Sequence, residues 1–347
     1  MRWLTAGLVK RGDFVSVSIS RRNMLRNSTV AAAALAGGEL ASPFARGQET
    51  SPVAPAGGAK RVLRFAHPTD IHVQPELRGD QGMAAAFNHM FALKDPPQMI
   101  LTGGDLPFDT ASAEQARSAS LWKLFDRILG DTVPKSIPIH HTIGNHDIWG
   151  RDQEKCKTNG SEPLYGKKWY LDNFGYPRTY YSFDAAGWHF VILDSFDLIP
   201  NSKDFVARIV GDQLDWFKAD LKTTPAATPI VVVTHVPIFS SANFFDNSEQ
   251  KHNSGPDVTI SHTRMHMDFR ELDDLFAGYP NIKLCLSGHI HLLERCEYNG
   301  ITHICDGAVC GDKWNGPRQR TPEGYGLIDL YSDGTFQHRY TPYGWKA

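Results

Sequence analysis

Residues 137–147 read Ile137-Pro138-Ile139-His140-His141-Thr142-Ile143-Gly144-Asn145-His146-Asp147. The first part, Ile137 to Thr142, is a β-favouring run, and the second part sets an amide, an imidazole and a carboxylate directly behind a glycine. A strand that ends in ligand-type side chains is the pattern of an α/β sheet that places its chemistry beyond the carboxyl ends of its strands. The same arrangement recurs in both directions. Upstream, Asp70-Ile71-His72 follows Val62 to Ala66, and Gly104-Asp105 follows Met99 to Thr102. Downstream, Thr234-His235 closes the run from Ile230, and Gly288-His289-Ile290-His291 follows Ile282 to Ser287.

The remaining chain is punctuated in the same way. Tyr180 to Phe183 and His189 to Asp194 read as strands, while Met83 to Leu93, Ala113 to Leu129, Gly211 to Leu221 and Arg264 to Phe276 carry helical patterns. Short strands alternating with helices predict layered α/β units. Near the C-terminus Asn299-Gly300, within Cys296 to Cys305, predicts a hairpin. Asp333-Gly334, between Tyr325 to Leu330 and Thr335 to Tyr340, predicts another, so mixed or antiparallel strands close the fold. Phe239 to Thr263 is long, polar and aperiodic, which suits a lid or substrate loop.

Composition bounds the function. With 347 residues, 41% hydrophobic and 21% charged, the chain is an ordinary globular protein. The N-terminus holds Ser20-Arg21-Arg22-Asn23-Met24-Leu25-Arg26, a mild apolar run from Val30 to Ala36 and a small-residue stretch ending near Gly47. That order resembles a twin-arginine export signal over residues 1–47, followed by a Pro/Gly-rich linker over 48–60 and one domain over 61–347. The expected location is periplasmic or secreted, with the twin-arginine export machinery as a partner. The formal net charge is −2; without residues 1–47 the chain carries 29 basic and 36 acidic residues, a net of −7. No basic excess points to nucleic acid, and no segment reaches the ~20 apolar residues of a membrane span. The cysteines, Cys156, Cys285, Cys296, Cys305 and Cys310, match no zinc-ribbon or redox spacing. In an oxidising compartment one or two disulfides are an option, and buried inert thiols are the other.

Carboxylate, amide oxygen and imidazole are the donors that bind hard or borderline divalent ions. Asp-x-His and His-x-His each place two such groups on one face of an extended segment, because strand side chains alternate with period two. Asp105 has two oxygens and can bridge two metals, and Gly104 leaves room for close approach. A lone Asp-x-His is more often a turn, and a lone internal His is usually packing. Five ligand-type motifs at successive strand ends in one domain are not required by structure alone.

The order D-x-H, G-D, G-N-H-D, H and G-H-x-H resembles the calcineurin-like metallophosphoesterase superfamily over Val62 to His291. The resemblance implies a four-layer α/β/β/α sandwich with two mixed β-sheets and a dinuclear metal site at strand C-terminal ends. Residue by residue, it implies one ion on Asp70, His72, Asp105 and His291 and a second on Asp105, Asn145, His235 and His289, both divalent and drawn from Fe, Mn and Zn. His146 would contact the scissile phosphate or protonate the leaving group, with Asp147 or Asp109 orienting it. The function implied is hydrolysis of a small-molecule phosphate ester, a diester before a monoester. A non-catalytic binding protein on the same scaffold would have lost ligands, and here every matched position is filled. Phe108 stands where purple acid phosphatases of the family carry a tyrosine, and Asp109-Thr110 breaks the G-D-x-x-D-R-G run of the protein phosphatases. Tyr180 to Asp194 with Gly211 to Trp216 is similar to the branch containing class III cyclic-nucleotide phosphodiesterases.

Other residues carry ordinary readings. His67, His140 and His141 read as packing groups beside the motifs, and His252, His262 and His266 as loop residues. Trp314, in Gly311-Asp312-Lys313-Trp314-Asn315-Gly316, reads as a packing anchor.

Overall fold

The first strand, β1 (Arg61–His67), alternates Leu63 and Phe65 to one face and Ala66 to the other, and both faces are buried. This requires cover on two sides. In a computed structural model, which describes residues 58–200, 202–246 and 259–347, the cover is a second sheet on one side and helices on the other.

In chain order the elements are β1, α1 (Gly79–Ala92), β2 (Met99–Thr102), α2 (Gln115–Thr132), β3 (Ile139–His141), α3 (Gln153–Cys156) and α4 (Lys168–Phe174). Then come β4 (Tyr181–Ala185), β5 (Trp188–Ile192), β6 (Phe196–Leu198), β7 (Phe205–Ala207), α5 (Gly211–Thr223) and β8 (Ile230–Val233). The chain continues with α6 (Phe269–Phe276), β9 (Ile282–Ser287), β10 (Glu294–Tyr298), β11 (Ile301–Cys305), β12 (Gly324–Tyr331) and β13 (Phe336–Pro342). One sheet runs β13-β12-β1-β2-β3, the other β10-β11-β9-β8-β5-β4, and both mix parallel and antiparallel pairs. Leu63, Phe65, Met99 and Leu101 of the first sheet interleave with Phe190, Ile192, Val231, Val233 and Leu286 of the second. Phe87 of α1 and Phe125 of α2 cover the outer face of the first sheet; Phe217 of α5 and Phe276 of α6 cover that of the second. The result is the four-layer α/β/β/α sandwich.

Both C-terminal hairpins form as expected. Asn299 (φ 48°) and Gly300 (φ 81°) are both left-handed, the conformation of a type I′ turn between β10 and β11. Two helix starts differ, and the cysteines take the second of their two options. The last helix starts at Phe269 rather than Arg264, because Met267 N–H donates to Ala207 O and His266 is buried against Ser195 (3.0 Å), which holds the preceding turn open. Helix α1 starts four residues before Met83, where Gly79 and Gly82 admit the ring of Trp314. No disulfide forms: all five cysteines are free thiols, and the β10–β11 register sets Cys296 opposite His303 and Cys305 opposite Glu294. The expected leader, residues 1–47, lies outside the described residues, as do most of the linker, His252 and the middle of the expected lid. Among the described residues no helix is long and apolar enough to cross a membrane.

Asp306, just after β11, ties the two sheets together. Its carboxylate meets His67 Nδ1 of β1 and His338 Nε2 of β13, each at 2.7 Å, with all three side chains fully buried. Burial pushes the Asp306 carboxyl up, but His338 and His67 more than offset this and hold it at about 2. Because its folded value lies below the unfolded ~3.9, its stabilisation is complete above about pH 4 and fades as pH falls toward 2. Asp306→Ala is expected to cost about 3 to 5 kcal/mol in urea unfolding at pH 7. A loss under ~1 kcal/mol would contradict the structural role.

Candidate metal centre

Every strand-end motif arrives at one place. Asp70 and His72 follow β1, Asp105 follows β2, Asn145 and His146 follow β3, His235 follows β8, and His289 and His291 follow β9. Strands β1, β2 and β3 belong to one sheet and β8 and β9 to the other, so the site straddles the top of the sandwich. Asp105 lies at its centre: Oδ2 is 3.3 Å from His235 Nε2 and 3.5 Å from His72 Nε2. On the His72 side, His291 Nε2 is 3.3 Å from His72 Nε2 and 3.2 Å from Asp70 Oδ1. On the other side, His289 Nδ1 is 3.3 Å from His235 Nε2. Asp105 Oδ1 is already engaged, accepting the backbone N–H of His146 at 2.8 Å, so a single oxygen, Oδ2, faces both halves.

The backbone differs from the extended geometry expected for Asp-x-His and His-x-His. Asp70 (φ 52°), His72 (46°), Asp105 (54°), His289 (69°) and His291 (61°) are all left-handed. For residues with a Cβ this conformation is costly, and it persists where the surroundings over-determine it, commonly at functional sites. The neighbouring chain is packed to match: a Cβ on Gly104 would lie 2.6 Å from His235 Nδ1 and 2.8 Å from Gly144 N. Asp147 contributes here, its carboxylate accepting the N–H groups of Asp105, Leu106 and Gly144 at 2.7 to 3.0 Å and locking the two loops together.

The donor set fits divalent ions. His72, His235 and His291 each direct Nδ1 to a backbone carbonyl, of Phe108 (2.9 Å), Gly103 (2.7 Å) and Gly311 (2.6 Å). That fixes the tautomer and turns the Nε2 lone pair inward, the arrangement of a ligating imidazole. Asp70 Oδ1 and Asn145 Oδ1 are buried and accept no hydrogen bond. Inward lone pairs beside unsatisfied oxygens are stabilised by a cation. Burial pushes Asp70 up, yet His291 and His235 hold it well below the usual carboxylate range; burial pushes His235 down, yet Asp105 and Asp70 raise it to about 9. The centre therefore favours positive charge. His72, which burial holds at about 3, remains a neutral donor.

His146 sits at the edge, with its side chain one-fifth exposed and its ring 4.9 Å from that of His72. Asp109, not Asp147, orients it, through Nδ1 at 2.8 Å. Of the other histidines beside the motifs, His140 stacks on Phe183 at 3.6 Å and His141 on Phe174 at 3.9 Å, while His67 pairs with Asp306. The cavity over the site, about 320 Å³, is also lined by Arg264, Lys313 and Arg318, which no motif in the sequence marks. Of the three, Lys313 alone adjoins a residue that the sequence does single out, Trp314, which is a buried anchor.

The chain matches the calcineurin-like phosphoesterase family over residues 63–293, a span that contains all eight of these residues. It belongs to that family. Among its relatives, the chain is 29% identical to purple acid phosphatase 21 of Arabidopsis thaliana over 58% of this chain and 40% of that one. It is 25% identical to a 3′,5′-cyclic-nucleotide phosphodiesterase of Nostoc sp. over 80% of this chain and 91% of that one. The chain thus spans less than half the length of the plant relative. A dimetal phosphatase from Danio rerio shares the fold, with a TM-score of 0.54 at 14% identity over 82% of this chain and all of that one.

Proposed function

We propose that this phosphoesterase hydrolyses a small-molecule phosphate ester with two divalent ions, one held by Asp70, His72, Asp105 and His291 and the other by Asp105, Asn145, His235 and His289. The observation that carries the reading is Asp105 Oδ2, which faces imidazole nitrogens of both halves within 3.5 Å. Fe, Mn and Zn all suit this mixture of carboxylate and imidazole. Bound there, such ions supply a water acidified toward neutral pH and neutralise phosphate oxygens. The protein's own part is to present the ester to that centre, with His146 over the departing oxygen. Asp109 holds Nδ1 and fixes the ring, so Nε2 is the nitrogen left to give a proton to the leaving group.

A diester is the preferred substrate class, because the cyclic-nucleotide phosphodiesterase of Nostoc aligns along nearly its whole length. The test is metal analysis of native protein coupled to assays on bis-p-nitrophenyl and p-nitrophenyl phosphate. Turnover of the diester by protein carrying about two ions per chain supports the reading. Monoester activity alone would make it a phosphatase, and metal-free protein would refute the dinuclear centre.

Export belongs to the same proposal: the twin-arginine machinery would deliver the folded protein to the periplasm or beyond, on the strength of Arg21-Arg22 before the run from Val30. Replacing both arginines with lysine is expected to retain the protein in the cytoplasm by fractionation. A normal periplasmic level in the double variant would contradict it.

A further inference from the structure

The rim of the cavity is charged, and its charges are unequally matched. Arg264 pairs with Asp246, Arg318 pairs with Asp246 (2.8 Å) and Asp312 (3.1 Å), and Asp109 pairs with His146. Lys313 is different. Among the described residues its ammonium has no ion pair or hydrogen bond, its nearest ring being Phe108 at 6.0 Å, and the side chain is exposed to the cavity it lines.

The loop that carries it is fixed on both sides. Trp314 is buried and donates Nε1–H to His72 O at 2.8 Å, while Gly311 O accepts from His291 Nδ1 at 2.6 Å. Lys313 (φ 53°) and Trp314 (φ 71°) are both left-handed, a costly conformation for successive residues with a Cβ. The loop thus grips backbone and ring of two candidate ligands and holds an unmatched cation beside them. Its field reaches Asp109 and His72, on the His146 side of the cavity, whereas Arg264 acts on His289 at the other side.

We infer that Lys313 binds a second anionic group, a carboxylate or phosphate carried by the leaving group of the substrate. This rests on the proposed function, because it is His146 that marks the departing side. His146 serves the departing oxygen, and an ammonium carried by a loop held beside the His146–Asp109 pair meets the group that lies beyond that oxygen. A cation without a counter-ion in a preorganised pocket gains most from a ligand that brings the missing charge. Esters of neutral alcohols leave it unmatched, so the substrate class is a phosphate ester whose leaving group is itself an anion.

Calorimetric titration of the full chain loaded with Mn²⁺ tests this with probes that cannot be hydrolysed: propylphosphonate, 3-phosphonopropionate and propane-1,3-diphosphonate. The wild type is expected to bind one or both doubly anionic probes about tenfold more tightly than propylphosphonate. Lys313→Met should reduce that ratio to about threefold or less, and Lys313→Arg should retain most of it. Whichever probe gains more identifies carboxylate or phosphate. Equal binding of all three by the wild type, or a ratio that survives in Lys313→Met, overturns the inference. A wild type that shows the ratio yet hydrolyses no ester keeps the anion site and loses the hydrolase reading; one that hydrolyses esters with a ratio near one loses the anion site alone.

Discussion

Asp105→Asn is expected to leave a folded protein that has lost metal and at least about 10³-fold of its turnover. The direction follows from the two oxygens of Asp105, which have different duties. Oδ1 accepts the N–H of His146, and Oδ2 faces His72 Nε2 and His235 Nε2. An amide has one acceptor and one donor end. If its oxygen keeps the His146 bond, the NH₂ group points at the metal centre and presents protons where lone pairs are needed. If it flips, two N–H groups oppose each other at His146. Either way the shared negative charge is gone, and one neutral oxygen bridges two cations poorly. Metal per chain, measured by atomic emission on protein whose circular dichroism matches the wild type, is the primary readout. Two ions per chain with near-normal turnover in Asp105→Asn would remove Asp105 from the bridging position.

His146→Ala separates proton transfer from metal assembly. Its backbone N–H, the group that holds Asp105 Oδ1, survives the substitution, and the side chain is bonded to Asp109 rather than to a candidate ligand. Metal content should therefore persist while turnover falls by about 10² to 10⁴, the usual contribution of a general acid. The deficit should depend on the leaving group. p-Nitrophenolate departs with little need of a proton, whereas an alkoxide needs one, so alkyl esters should lose more. Equal deficits on both with metal intact would make His146 a phosphate-positioning group. Metal loss would turn it into a ligand, an arrangement its closeness to His72 and Asp105 makes worth measuring.

Both substitutions fall on residues that are visible in the sequence for a local reason. Strands β2 (Met99–Thr102) and β8 (Ile230–Val233) occur as expected because consecutive apolar residues buried on both faces leave few alternatives. Asn299-Gly300 specifies its hairpin because both positions need left-handed backbone. The seven metal-type residues and His146 are legible because each stands directly after an apolar run, and chemistry placed at strand ends marks itself in the chain. The alternation of an extended chain predicts that Asp70 and His72 share a face, but the backbone reaches that result differently: paired left-handed residues achieve it, with Asp70 N–H donating to Gly104 O (3.0 Å), His72 N–H to Asp105 O (2.9 Å) and Asp70 packed on Gly288.

By itself, then, the sequence determined the layered α/β class, the positions of the strands that frame the site and the residues that meet at its centre, because local pattern and residue chemistry carry that information. Tertiary structure alone decided the rest. The early start of α1 depends on Trp314, 235 residues downstream of Gly79, filling the space two glycines leave. The choice of Asp109 over Asp147 as partner of His146 depends on three backbone N–H groups that occupy Asp147 first. That Cys296 and Cys305 do not face each other depends on strand register, and the place of Lys313 in the cavity depends on a loop bolted to His72 and His291. Each of these is a contact between segments far apart in the chain, whose energy has no signature in the local order of residues.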